Sequence, residues 1–378
     1  MIMMALACLS LVALLTAAAW AAPVLARPTL PFGVRVPGSH VSDPAVTAQR
    51  RRYARAVLVT GAVAAPTSPV AVVLLGSPAM LPATATVLAA AHLALYHAAH
   101  RAVVAAKRQG NWYAGARQAV TADTTLRTDP VRLPWPLLIP SVLLLVLTAV
   151  TGVWRFGELP ATLPTMRGIG VDATTRTATT FATAFSPVIT QAALTLLTPL
   201  LIAALLRARP ELDAAQPAGS ARRYRVYLNG MARLLLAVAA GAGWAMFLLA
   251  LQLWEVAAPS AAVTAATWTP LTAAALSFLV FGVRVGEAGH RLPLRPEEAR
   301  ESGFVQRDDD RHWHLAGMIY ANRMDPAILV HQRAGSRWTL NFGNPVAWAV
   351  LSILAVLGLL SLLGVLDLPA TVTQGLRT

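Results

Sequence analysis

Apolar runs without a single charge recur along this chain at membrane-spanning length, separated by polar segments rich in arginine. About 20 consecutive apolar residues cross a hydrocarbon core. The uncharged stretches cover 1–26, 56–100, 133–154, 177–206, 234–254, 256–283 and 338–366. The second is long enough for two helices that turn at Gly76-Ser77-Pro78, so the pattern predicts eight spans.

The basic residues test that count. The segments 27–55, 101–132, 207–233 and 284–337 hold 27 of the 31 Lys and Arg residues, and the alternate segments hold 4. The positive-inside rule then places the 27 in the cytoplasm and both termini outside. Residues Ala17 to Ala22 have the small-residue character of a signal-peptide end. No basic region precedes them and the apolar run exceeds a typical signal core, so an uncleaved first helix is expected.

Composition agrees with this pattern. The chain of 378 residues is 56% apolar and 13% charged, against about a quarter charged in soluble domains. Its net charge of +14 would suit nucleic acid if it formed one face. It is instead spread between apolar runs, so the expected partner is the lipid bilayer and no nucleic acid. Cys8, the only cysteine, rules out an intramolecular disulfide and a cysteine-based zinc site.

Candidate chemistry inside the spans is sparse. Ion-coupled carriers bury charged groups near the midplane, whereas here Glu255 stands at a span edge. Gln191 and Gln252 are read as helix–helix hydrogen-bonding amides. His92, His97 and His100 share the third span. Snorkelling at the cytoplasmic end accounts for the last two, with a metal or proton site as the alternative. Pro66 and Pro69 remove two backbone donors and should kink or break the second span, a device of transporters and also an ordinary kink. No metalloprotease, nucleophile-elbow or phosphate-loop motif occurs, so no catalytic residue, metal or cofactor is assigned. The run Asp308-Asp309-Asp310 reads as a solvated face, with contact to a divalent cation as the alternative.

The long segment 284–337 changes character in its second half. Ala327–Arg333 and Arg337–Phe342 flank Ala334-Gly335-Ser336 and read as two strands around a turn. Trp338, Leu340 and Phe342 share one face, with Thr339 and Asn341 on the other. An isolated hairpin is marginal in water, so this face is expected to dock on the loop, the membrane surface or a partner.

Three segments together resemble the SdpI-like group of bacterial membrane proteins: Pro31-Phe32-Gly33-Val34-Arg35-Val36-Pro37; Glu158 to Pro164 followed by Gly168 to Asp172; and Asp308 to Pro345. The third is the most specific and carries Trp313, Gly317, Tyr320, Asn322, Asp325-Pro326, Gly335 and Trp338-Thr339-Leu340-Asn341-Phe342. Thr165-Met166-Arg167 stands where the group has a histidine, Arg323-Met324 replaces a Pro-containing pair, and Ser336 replaces a common second glycine.

The apolar runs and the strand pattern give the expected fold, an all-α polytopic integral membrane protein of about eight transmembrane helices with a small cytoplasmic β-hairpin, and the resemblance agrees with that topology. Residues 1–283 form seven spans with an extracytoplasmic loop at 155–176. Residues 284–344 form the cytoplasmic loop, 345–366 the last helix and 367–378 a tail. A named member of the group is an immunity protein and signalling receptor that holds a repressor at the membrane. The expected function is therefore a non-enzymatic sensor or immunity protein of the bacterial plasma membrane; the alternative is a small-solute transporter. Pro160, Pro164, Gly168 and Asp172 would face an extracellular peptide ligand. Trp313, Tyr320, Asn322, Asp325, Trp338 and Asn341 would bind a cytoplasmic regulatory protein.

Overall fold

The computed structural model of the chain describes residues 2–75, 77, 79–167, 170–298, 301–334 and 338–362. It is 66% helical. Apart from the single turn α4 (Thr125–Thr128), the helices follow the apolar runs: α1 (Ile2–Leu25), α2 (Pro44–Leu75), α3 (Met80–Gln109), α5 (Ile139–Phe156), α6 (Phe181–Leu206), α7 (Pro217–Leu253), α8 (Ala261–Val285) and α9 (Pro345–Leu362).

Six stretches among the described residues are long and apolar enough to cross a membrane: Met4–Leu25, Pro44–Leu74, Trp135–Phe156, Phe181–Leu206, Pro217–Leu253 and Ala261–Gly289. They mark a membrane protein. The expected count of eight is not reached. Helix α3 carries His92, His97 and His100 and then Arg101, Lys107 and Arg108, which dilute its apolar character. Helix α9 offers the shorter apolar stretch Pro345–Leu360. The expected turn at Gly76 and Pro78 and the tail at 367–378 lie outside the described residues.

Helices α2 and α7 have 32 and 37 residues, or ~48 and ~55 Å at ~1.5 Å per residue. Both exceed a hydrocarbon core of about 30 Å. The surplus length is basic, with Arg50, Arg51, Arg52 and Arg55 early in α2 and Arg222, Arg223 and Arg225 early in α7. Helix α2 passes Pro66 and Pro69 without a break, which removes the broken-helix argument for a transporter.

The chain divides into two compact units. The first comprises Met1–Arg127, Ala208–Tyr224 and Gly282–Pro345. Helices α1, α2 and α3 pack on one another here, and loops from distant parts of the sequence build a polar cap. Strand β1 (Gln118–Ala119) lies parallel to β4 (Val305–Gln306), and β5 (Trp313–His314) is antiparallel to β6 (Ile319–Tyr320). Strand β7 (Leu329–His331) is antiparallel to β8 (Trp338–Leu340). Both strands of this last ladder are shorter than expected, and residues 335–337 between them lie outside the described residues.

The second unit comprises Thr128–Arg207, Arg225–Phe281 and Val346–Thr378. The segment expected as an extracytoplasmic loop at 155–176 holds most of an antiparallel pair, β2 (Thr162–Arg167) and β3 (Gly170–Ala178), with an irregularity between Pro164 and Thr165. Leu163 points from β2 into a cluster with Phe185, Leu253 and Trp254. Trp254 donates its indole N–H to Ala184 O at 2.9 Å. A side chain on Gly152 would lie 2.9 Å from that indole, so glycine is needed for the close approach. Thr180 and Thr183 form a reciprocal cap that starts α6. Outward side chains such as Leu143, Trp154 and Leu196 are about two-thirds exposed, the surface expected of helices solvated by lipid.

Candidate functional site

The first unit buries its charges. The segment Pro31–Pro37 enters the cap as a plug, with Phe32 fully buried against the rings of Tyr53 and Tyr96 at 5.2 and 5.5 Å. The Phe32 carbonyl lies 2.8 Å from His100 Nδ1. Gly33 has φ +76°, and a Cβ there would lie 2.3 Å from Ala316 O. Only glycine meets both demands. Two residues on, Arg35 reaches the acidic run.

That run is the hub of an ion network, which corrects its reading as a solvated face. Asp309 accepts from Arg35 Nε at 3.0 Å and pairs with the fully buried Arg333. Asp310 accepts from the Arg35 backbone N–H at 3.1 Å and from Lys107 at 2.6 Å, and also pairs with Arg333. Lys107 meets Asp308 at 2.8 Å. The Arg333 guanidinium lies 4.9 Å from the Trp313 ring centre, a cation–π contact.

Burial alone would push the Asp309 carboxyl up. The charges of Arg333 and Arg35 and the hydrogen bonds from Arg35 and Trp313 outweigh it and hold the group well below the usual carboxylate range. Asp310 is lowered in the same way, against burial, by Arg333 and Lys107. Burial, then the like charge of Arg333, lowers the Arg35 guanidinium.

Arg35 also joins this network to a cavity of about 230 Å³. Three arginines and three carboxylates line it: Arg27, Arg35 and Arg223, with Glu211, Asp213 and Glu287. Glu211 pairs with Arg35 and lies 4.0 Å from Arg27. Glu287 is presented by a tight turn in which Gly286, Ala288 and Gly289 all have positive φ. A Cβ on Gly289 would strike Arg223 O at 2.4 Å, so this turn is pressed against the start of α7. Glu287 is 1% exposed, with Arg27 Nε at 3.7 Å and His331 Nδ1 at 3.1 Å. Neither of its carboxylate oxygens has a well-formed hydrogen bond among the described residues. His290 lines the same cavity, and burial lowers its pKa.

Five of the six residues expected to contact a partner, all but Trp338, form a folding knot. Tyr320 donates to Asp325 at 2.9 Å and accepts from Asn322 at 3.1 Å, while Arg209 pairs with Asp325. Fully buried Asn341 donates to the carbonyls of Asn322, Asp325 and Ala327 and accepts from the N–H groups of Asn322 and Gly343. Trp313 packs on Tyr320 at 4.9 Å between ring centres, and Trp338 packs on His331 at 5.1 Å. Trp313, Tyr320 and Val330 thus give this loop a core of its own. Its exposed apolar side chains are Leu315, Met324 and Ile328.

The residues expected to face a ligand on the other loop are spread differently. Pro160 is exposed and Pro164 buried in β2, while Gly168 lies outside the described residues. Asp172 in β3 accepts from the side chain and backbone of Thr174 and from Thr175, which lowers its pKa. No group of three metal-ligating side chains suited to an ion occurs among the described residues. Comparison with protein-family models, curated proteins and solved structures yields no match.

Proposed function

We propose that this chain is a non-enzymatic sensor or immunity protein of the bacterial plasma membrane, of the SdpI-like type that its three segments resemble. In this reading it has eight spans, α3 and α9 being the two beyond the six apolar ones. The cap lies in the cytoplasm, and the β2–β3 ladder and both chain ends lie outside. The observation that carries the reading is the buried ion network. It draws Arg35, Lys107, Asp308 to Asp310 and Arg333 from three of the four basic segments into one cap, and side chains that neutralise one another must share a side of the membrane. The β2–β3 ladder would meet an envelope peptide. A regulatory protein would meet the cap at Leu315, Met324 or Ile328, which are exposed, instead of at the buried knot.

Thiol labelling tests the placement, because Cys8→Ser removes the only cysteine. In that background, an impermeant maleimide added to intact cells should modify Asp172→Cys and spare Met324→Cys, and both should react after permeabilisation. Labelling of Met324→Cys from outside would refute the assignment of sides. A photo-crosslinking residue at position 324 should capture one soluble protein, and capture should disappear when Leu315 is changed to Glu. Capture unaffected by that change would refute the partner surface.

A further inference from the structure

We infer that the cavity in the cap binds a small zwitterion of the α-amino acid class. The inference stands on the lining of the cavity and does not depend on the sensor reading.

The lining groups balance in charge, three arginines against three carboxylates. A simple cation entering would face Arg27 and Arg223; a simple anion would face Glu287 and Asp213. A ligand with both charges upsets neither set.

The hydrogen-bonding capacity left over has the same two-sided character. Among the described residues Glu287 is buried with both oxygens lacking a well-formed hydrogen bond, its nearest partner being His331 Nδ1 at 3.1 Å, and Nη2 of Arg27 is buried with none. Their mutual contact, 3.7 Å from Arg27 Nε to Glu287, is beyond hydrogen-bond length. Arg223 makes one hydrogen bond from its guanidinium, Nε to Gly219 O at 3.3 Å, and no ion pair among the described residues. Buried charged groups are normally both paired and hydrogen-bonded. An ammonium supplies donors to Glu287, and a carboxylate supplies paired acceptors to the arginine forks. The cavity volume suits a molecule of amino-acid size. The turn from Gly286 to Gly289 packs on Arg223 and fixes Glu287 beside Arg27, so the site is set before the ligand arrives.

The test is calorimetric titration of the purified full chain in detergent at pH 7. The probes are glycine, L-alanine, L-leucine and L-glutamine, with N-acetyl-L-alanine, L-alaninamide and acetamide as controls. At least one free amino acid should bind, and blocking either charge of L-alanine should weaken its binding at least about tenfold, as expected for hydrogen bonds between charged groups. Arg223→Ala should weaken binding of the free amino acid by at least about tenfold and leave L-alaninamide unchanged, since the amide lacks the carboxylate. Arg223 is only half-buried, so this variant should keep the unliganded melting temperature. Glu287→Gln should lose preference for the free amine. Absence of binding by all four amino acids at millimolar concentration overturns the inference. So does equal binding of the acetylated or neutral probe, or an Arg223→Ala affinity equal to that of the parent.

Discussion

The two units use side chains in opposite ways. In the first, charged groups face inward: Arg333 is fully buried and Arg35 nearly so, each held between carboxylates. In the second, the interior is apolar with isolated amides, such as Gln191, which donates to Gly243 O across α6 and α7 at 3.2 Å. Its ion pairs lie at the surface, as between Arg176 and Glu255 at 2.8 Å, both over a third exposed. The contrast follows from surroundings. Helices surrounded by lipid are held by packing and a few hydrogen bonds, whereas loops that have no large apolar core need directional contacts. Charge networks then fix which segments meet, although a buried ion pair adds little net stability over an apolar substitute.

The strongest way to break the comparison is Arg333→Ala, which leaves Asp309 and Asp310 short of a buried partner. Removing one member of such a network costs about 3–5 kcal/mol. Hydrogen-exchange mass spectrometry in detergent should show faster exchange at residues 30–38 and 305–333 and none at 181–206. Uniform acceleration would mean that the units do not unfold separately.

Acid is a milder probe. The pKa values of Asp309 and Asp310 are depressed in the folded state, so their contribution is complete above the ordinary value of 3.8 and is lost as pH falls through the folded values. Exchange protection in the cap should therefore hold at pH 5 and decline below 3.8, while that of α6 stays flat. Cap loss already complete at pH 5 would contradict the depression.

The smallest effect should come from the second unit. Gln191→Leu removes one interhelical hydrogen bond, which in a membrane interior is worth about 0.6 kcal/mol on average and about 1.7 at most. A loss as large as that from Arg333→Ala would erase the distinction.

Helix positions were legible because an uncharged run of about 20 residues has few other uses. Gln191 was likewise legible as a helix–helix amide. The ion network was not, since Asp309 finds its cations at positions 35 and 333 and nothing local marks the pairing. For the same reason Tyr320 and Asn341 looked available for a partner, when Trp313 and Asp325 in the same loop occupy them. The β2–β3 pair had a local signal, the Thr-rich run 174–177 after Val171, but the prolines at 160 and 164 argue for a loop. The cavity has no signature in sequence, because its lining comes from four separated stretches of chain.

The bond between Arg35 and Asp309 spans 274 residues, and this distance sets a schedule for biogenesis. At about 5–20 residues per second, roughly 15–55 s pass between synthesis of the two ends. Helices α1 and α2, both long and apolar enough to cross a membrane, are therefore complete while Arg35 and Lys107 still rely on water for solvation. A nascent chain released before residue 308 is an inserted but uncapped protein, with its N-terminal plug left without the acidic run that anchors it.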